Sequence, residues 1–555
     1  MGTAVVAFPS ISSLGSLGHN RVSHFDHLPQ RISTIGMSTQ VPRDSEEKTE
    51  RLMRQVLPRD KNLPPVVFHY IPWFGSAAYY GEDPYKFYFE CREKYGDVFT
   101  FVLLGRNITV ALGPKGNNLS LGGKTTQVSA EEAYKHVTTP VFGKGVVYDC
   151  PNEMLMQQKK FIKNGLSTEA LASYPPLITA ECEHYFEKEL GFSPTSPGPK
   201  TIEVFKIMSQ LIILSASRTL QGKEVRESLD SKFAEYFHDL DGGFTPLNFM
   251  FPNLPLPSYR KRDKAQKSMS DFYLNIMQKR REGATDGDGS FDMLAALQGC
   301  VYRNGVPLTD RDIAHMMIAI LMAGQHTSSA TSSWALLHLA HRPDVADALY
   351  EEQKTLFGNP DGSFRPVEYG DEKRMTLMNS IIRETLRIHA PIHSIYRKVI
   401  SPMPVPASLS APSESATYII PKDYYIVAAP GVSAMDPRIW KDANVWEPFR
   451  WSDEKGTAAM ALNEYTTGGE KMDYGFGQVS KGTESPYQPF GAGRHRCVGE
   501  AFAYVQLSVI IAYIIRNYSL RLETPDGLFP KTNYRTMIVL PLNGLMSLTK
   551  RKQEV

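Results

Sequence analysis

The chain has 555 residues but only five cysteines, Cys91, Cys150, Cys182, Cys300 and Cys497, an odd number and widely scattered. With no C-x-x-C pair, the pattern argues against a disulfide framework, a zinc ribbon or a thioredoxin-type site. Excess charge of one sign is also missing: 61 Lys+Arg against 59 Asp+Glu leave a formal +2. That balance argues against a nucleic-acid binder driven by bulk charge. No run of 18 apolar residues occurs, so no simple membrane-spanning helix is visible. The longest apolar stretches, 316–324 and 505–515, read as core helices, and no internal repeat is apparent.

What is present is ordinary globular composition, with 42% hydrophobic and 22% charged residues. Residues 1–57 are Ser/Gly-rich and then charged, and read as a disordered tail without a membrane span. A proline-punctuated entry follows at Pro64-Pro65 and Ile71-Pro72-Trp73. The β-branched runs 98–104 and 107–112 predict a hairpin. Beyond residue 130 helical periodicity dominates, so the expected fold is mainly α with small β-sheets, one domain over 58–555. Segments 401–415, rich in Pro and Ser, and 453–485, rich in Gly, Ser and charge, are expected to be surface loops.

Thr309 followed by Asp312 resembles a capping box, and residues 313–341 contain no Asp, Glu, Lys or Arg. A helix of about 30 residues without charge is expected to be buried on all sides. At its centre lies Ala323-Gly324-Gln325-His326-Thr327. The small residues would let a flat ligand approach the backbone, and Thr327 can bond a preceding carbonyl or release it. His326 beside this notch points to function, with a satisfied core histidine as the alternative.

Glu384 and Arg387 share a face at i, i+3 on a predicted helix ending before Pro391. Neighbouring Met378, Ile381, Ile382 and Leu386 suggest a buried pair, with Arg450 in Trp446-Glu447-Pro448-Phe449-Arg450 as its further partner.

The strongest signal is Phe490-Gly491-Ala492-Gly493-Arg494-His495-Arg496-Cys497-Val498-Gly499. A glycine-rich approach can aim successive N–H groups at a sulfur, and the helix that follows favours a thiolate at its N-terminus. His495 and the arginines suit a polyanionic cofactor. A buried, inert cysteine is the alternative and predicts no such pattern.

Phe490, Gly493, His495, Cys497 and Gly499 match the haem-binding signature of the cytochrome P-450 family. Glu384-x-x-Arg387 with Arg450 matches that family's structural triad. Residues 323–327 look like its oxygen-activation motif, with His326 where most members carry an acid. The resemblance covers roughly residues 60–550. Within the family, 134–150, His326-Thr327, the loop at 453–485, 393–397 and 241–246 are similar to fungal sterol 14-alpha-demethylases. Without the family, 134–150 reads as an aromatic, glycine-punctuated loop, in the core or at a site.

This resemblance implies a haem-thiolate monooxygenase of ergosterol biosynthesis. It would remove the 14-alpha-methyl group of a lanosterol- or eburicol-type sterol through alcohol and aldehyde, with loss of formate. Cys497 would hold the iron of haem b. Tyr134, Tyr148, Lys159, Arg397 and His495 would meet the propionates, with Phe490 and Gly493 also in the cofactor site. Phe142, Val147, Phe244, Ala323 and Ser394 would line the sterol pocket. Thr327 would hold the oxygen-derived ligand and its water, while His326, with Asp241, would relay protons. Electrons would come from NADPH through a cytochrome P-450 reductase docking near Lys481, Arg494 and Arg496, and azole nitrogens would ligate the iron.

Relatives of this kind carry an N-terminal anchor, and residues 1–57 show none. Placement at the endoplasmic-reticulum membrane therefore rests on resemblance. Other readings remain: a haem protein that binds sterol without turnover, a haem-thiolate isomerase or dehydratase, and a neighbouring sterol or fatty-acid hydroxylase.

Overall fold

The computed structural model describes residues 62–245, 248, 249, 251–283, 292–409, 417–467, 482–524, 528–534, 536 and 538–552. The expected tail at 1–57 lies outside them.

Five strands, β1 (Val98–Leu103), β2 (Arg106–Ala111), β3 (Val128–Ser129), β4 (Ile395–Val399) and β5 (Tyr425–Ala428), form one sheet in the order β1-β2-β5-β4-β3. The expected hairpin is β1–β2, paired from Val98↔Ala111 to Leu103↔Arg106. Its turn is Leu104-Gly105 at φ 49 and 77, the doubly left-handed geometry that a two-residue hairpin needs. β2 and β5 run parallel, with Ile108 opposite Tyr425.

Eight helices build and flank the site: α1 (Glu131–Phe142), α2 (Asn152–Asn164), α3 (Val204–Ala216), α4 (Ser231–Asp241), α5 (Pro257–Arg281), α6 (Asp310–His341), α7 (Thr376–Ile388) and α8 (Glu500–Asn517). The chargeless segment becomes α6, 32 residues long, and the Thr309 hydroxyl accepts from the Asp312 N–H at 3.2 Å. It contacts α3, α5, α7 and α8, which explains the missing charge: a lone ion there would lack water on every side. Each fully buried Leu, Ile or Met on it contributes about 1.5–3 kcal/mol of apolar burial.

Glu384 and Arg387, both fully buried, are the hinge of a polar network between α7 and the chain around 434–451. Glu384 accepts from both Nε (3.0 Å) and Nη2 (2.8 Å) of Arg387, from Arg450 Nε at 2.9 Å and from Trp451 Nε1 at 2.9 Å. Arg387 Nη1 also donates to the carbonyls of Ala434 (2.9 Å) and Ala443 (2.8 Å). Both charges thus leave water with their hydrogen bonds made, the condition under which burial is tolerable.

Three expectations about irregular segments change. Residues 134–150 do not form one loop, because 134–142 complete α1. Tyr134, Val137, Thr138 and Val141 recur at helical spacing on its buried face, and Gly143 at φ 104 ends it. Segment 453–485 contains a helix, Thr457–Thr467, seeded by Ala-rich sequence. Its residues 468–481 lie outside the described part. Segment 401–415 contains Met403–Pro404, paired with Ile419–Ile420. Among the described residues, no helix is long and apolar enough to cross a membrane.

Candidate active site

Gly491 and Gly493 sit at φ 67 and 66 on the approach to Cys497, and a side-chain carbon on Gly493 would come within 2.7 Å of the Leu121 carbonyl. Only glycine permits this tight passage. The Cys497 N–H then donates to the Phe490 carbonyl at 2.9 Å, and α8 begins three residues later. None of the five cysteines forms a disulfide. Burial pushes the thiols of Cys91 and Cys150 up to about 12 and raises those of Cys182 and Cys300, so these four are poor nucleophiles or ligands.

Cys497 opens onto an apolar cavity. Across it stand Ala323, Gly324 and Thr327 of α6, with Phe490 and Ile395 among the other walls. A carbon added to Gly324 would meet nothing within 4 Å, so the notch in α6 is open. The Thr327 hydroxyl donates to the Ala323 carbonyl at 2.9 Å, the back-bonded state in which it is held ready at the cavity wall.

His326 does not line this cavity. Its Nε2 lies 2.9 Å from Asp241 Oδ1, an ion-pair distance off the line of a hydrogen bond, and its ring packs on Phe237 at 5.7 Å. Both partners remain partly exposed, at 23% and 44%, which connects α6 to solvent at this point.

Positive charge gathers beside the cysteine segment. Arg397, 2% exposed, donates only to the Tyr396 carbonyl (2.8 Å) and has no carboxylate partner among the described residues. Lys159 Nζ donates to the carbonyls of Arg494 (2.9 Å) and Arg496 (2.7 Å), and burial lowers its ammonium to about 7. Burial, then Arg397, Lys159 and Arg494, hold His495 neutral, well below the usual imidazole range. Tyr134 and Tyr148 stack at 5.2 Å, Tyr148 lies 6.1 Å from the His495 ring, and the Tyr134 hydroxyl accepts from the Tyr396 N–H at 2.8 Å. An unpaired buried guanidinium costs on the order of several kcal/mol. A dianionic group placed here would recover that cost, and the same group could be flat, reach the α6 notch and take Cys497 as ligand. The donor set therefore fits haem and its two propionates.

The expected sterol residues are more dispersed. Ala323 is on the cavity wall. Phe142 and Phe244 pack on each other at 5.4 Å and do not line that cavity. Val147 is held at φ 55, a conformation that costs a β-branched residue about 1–3 kcal/mol. Ser394 is buried with its hydroxyl committed to Tyr88 (3.1 Å) and His393 Nδ1 (2.7 Å) rather than to the cavity. Of the expected docking residues, Arg494 is corrected: it is 4% exposed and donates to the Gly123 carbonyl, so it cannot present charge to a partner. Arg496 is engaged with Glu500, and Lys481 lies outside the described residues.

Sequence reading passed over Gln158, fully buried beside Lys159. It also passed over the hydroxyl chain in which Tyr396 and Tyr80 meet at 2.9 Å. A polar Gln157-Gln158-Lys159 run on the buried face of α2 was the available signal.

The family model for Cytochrome P450 matches residues 64–547. A lanosterol 14-alpha demethylase of Mycosarcoma maydis is 55% identical over 498 residues, 88% of each chain. An eburicol 14-alpha-demethylase of Uncinula necator is 47% identical over 88% of this chain and 91% of that one. Among solved structures, a retinoic-acid-bound cyanobacterial CYP120A1 shares the fold with TM-score 0.68 and 18% identity, over 88% of this chain and 99% of that one. With Cys497 facing α6 across an apolar cavity, and the family's pattern spanning nearly the whole described chain, the protein belongs to the cytochrome P450 family.

Proposed function

We propose that this P450 is a sterol 14-alpha-demethylase, oxidising the 14-alpha-methyl group through alcohol and aldehyde and releasing it as formate. The observation that carries this reading is the placement of Cys497 and Thr327 on one apolar cavity beside an anion-seeking cluster, in a chain similar over most of its length to demethylases. Cys497 would hold the iron of haem b, and Arg397, His495, Tyr134, Tyr148 and Lys159 would meet its propionates. Haem, when bound, supplies reductive activation of dioxygen and oxidation of an unactivated C–H bond. The apolar wall, with Ala323 on it, excludes water and seats the sterol rings, and the similarity to demethylases supports Phe142, Val147, Phe244 and Ser394 as further sterol-side positions. Thr327 Oγ1 leaves the Ala323 carbonyl to hold a proton-donating water, and His326 with Asp241 carries protons in from solvent.

Electrons would come from NADPH through a cytochrome P450 reductase, and azole nitrogens would ligate the haem iron. The protein would act at the endoplasmic-reticulum membrane, in contact with it through an exposed apolar surface. Exposed Tyr70, Ile71, Trp73 and Phe251 support this, with Trp73 and Phe251 stacked at 6.2 Å.

Reconstitution with reductase, NADPH and either lanosterol or eburicol tests the proposal. Mass spectrometry should find a sterol lacking the methyl carbon. A product that only gains oxygen, or sterol binding with no product, would refute it.

A further inference from the structure

The segment 143–150 carries a local contradiction. It holds Val147, a β-branched residue, at φ 55, in the region that favours glycine. Nothing within Val147 itself supports that conformation, so the surroundings must impose it.

Gln158 of α2, fully buried, contributes to the constraint from outside the segment, beside the Cys150 thiol that donates to the Val147 carbonyl at 3.4 Å. Its Oε1 accepts from the Val147 N–H at 3.3 Å, and its Nε2 donates to the Gly145 carbonyl at 2.8 Å. The same Nε2 donates to the Tyr302 hydroxyl at 3.0 Å, which anchors the amide from a third segment. A carboxamide carries an acceptor and a donor on one planar group, so it can grip a backbone N–H and a backbone carbonyl together. The next residue, Lys159, donates to the carbonyls of Arg494 and Arg496, on either side of His495. Adjacent residues of α2 thus hold two different segments, Gln158 the strained one and Lys159 the cysteine segment.

We infer that Gln158 is a positioning residue for sterol recognition: its carboxamide holds Val147 left-handed and so sets the Val147 side chain, which the demethylase reading places against the sterol, and the following Tyr148 beside His495. The inference rests on the demethylase reading for the identity of the ligand, while the clamp itself is testable without any sterol. Tyr302 Oη supports the clamp by orienting the amide.

Gln158→Leu removes both grips, and Tyr302→Phe removes only the anchor. In amide hydrogen exchange of the full chain, Gln158→Leu should increase exchange at Val147 at least tenfold, with α8 unchanged. Sterol KM should rise about tenfold with kcat within twofold, and the thiolate-type spectrum of the CO complex should be kept. Tyr302→Phe should give a smaller shift in the same direction.

Val147→Gly provides the internal control, since glycine adopts φ 55 unaided. In that background Gln158→Leu should change KM less than threefold. Unchanged exchange at Val147, an equal KM penalty in both backgrounds, or a fall in kcat with KM unchanged would each overturn the inference. If Gln158→Leu does not fold, Tyr302→Phe decides: unchanged exchange and KM overturn it. Wild-type protein that turns over no sterol would instead contradict the demethylase reading, leaving the exchange comparison as the test of the clamp.

Discussion

His326 Nε2 stands 2.9 Å from Asp241 Oδ1, joining the middle of α6 to the last residue of α4. The pair is half-open to solvent on one side and adjoins Thr327 of the cavity wall on the other. Asp241→Asn keeps the shape and removes the charge. Product formed per NADPH should fall about tenfold while sterol affinity stays constant, as expected for a proton path that water can partly replace. Unchanged coupling of NADPH to product would refute the relay.

Thr327→Ala deletes the hydroxyl that now bonds the Ala323 carbonyl at 2.9 Å. Since that bond is local to α6, the fold should persist and thermal stability should change by less than about 1 kcal/mol. Electron use should continue, with peroxide or water replacing sterol product. Full coupling in the variant would remove Thr327 from oxygen chemistry.

Glu384→Gln strips the charge from a carboxylate with no solvent exposure and leaves Arg387 buried without its anion. The expected loss is about 3–5 kcal/mol, read from denaturant unfolding. Arg438→Ala, at a side chain 57% exposed, should cost less than about 1 kcal/mol despite its ion pairs. Equal costs at the two positions would contradict a stabilising role for burial in this network.

These motifs were readable because each is local. The chargeless run 313–341, the Thr309 cap, the Glu384-x-x-Arg387 spacing and the glycine approach to Cys497 state their chemistry within a few residues. What escaped was non-local. The parallel register of Ile108 with Tyr425 depends on pairing between distant strands, which no local pattern encodes. The helix within 134–150 was masked by the aromatics and glycines that surround it in the sequence. Gln158 looked like any polar helix residue, because its value lies in a backbone it meets only after folding. Arg494 illustrates the reverse: a charge that suggested a docking face turns inward to a carbonyl.

Acid should weaken the protein in a defined window. Burial lowers His393 from its usual value to about 4 and His389 to about 3. Between those values and 6.5, the unfolded chain binds protons that the folded chain refuses, so stability falls as pH drops. Each group adds a slope of about 1.4 kcal/mol per pH unit. His393→Asn retains a partner for the Ser394 hydroxyl and cannot titrate. Its unfolding free energy should fall less steeply than wild type between pH 6.5 and 4, and parallel curves would refute the assignment.

The proposed chemistry depends on Cys497, and the spectrum of the reduced, CO-bound protein reports its ligation directly. Wild-type protein should show the long-wavelength Soret band of a thiolate-ligated haem, and Cys497→Ser should lose it while the other four cysteines are intact. A wild-type band typical of histidine or neutral thiol ligation, or a thiolate band that survives in Cys497→Ser, would contradict the assignment.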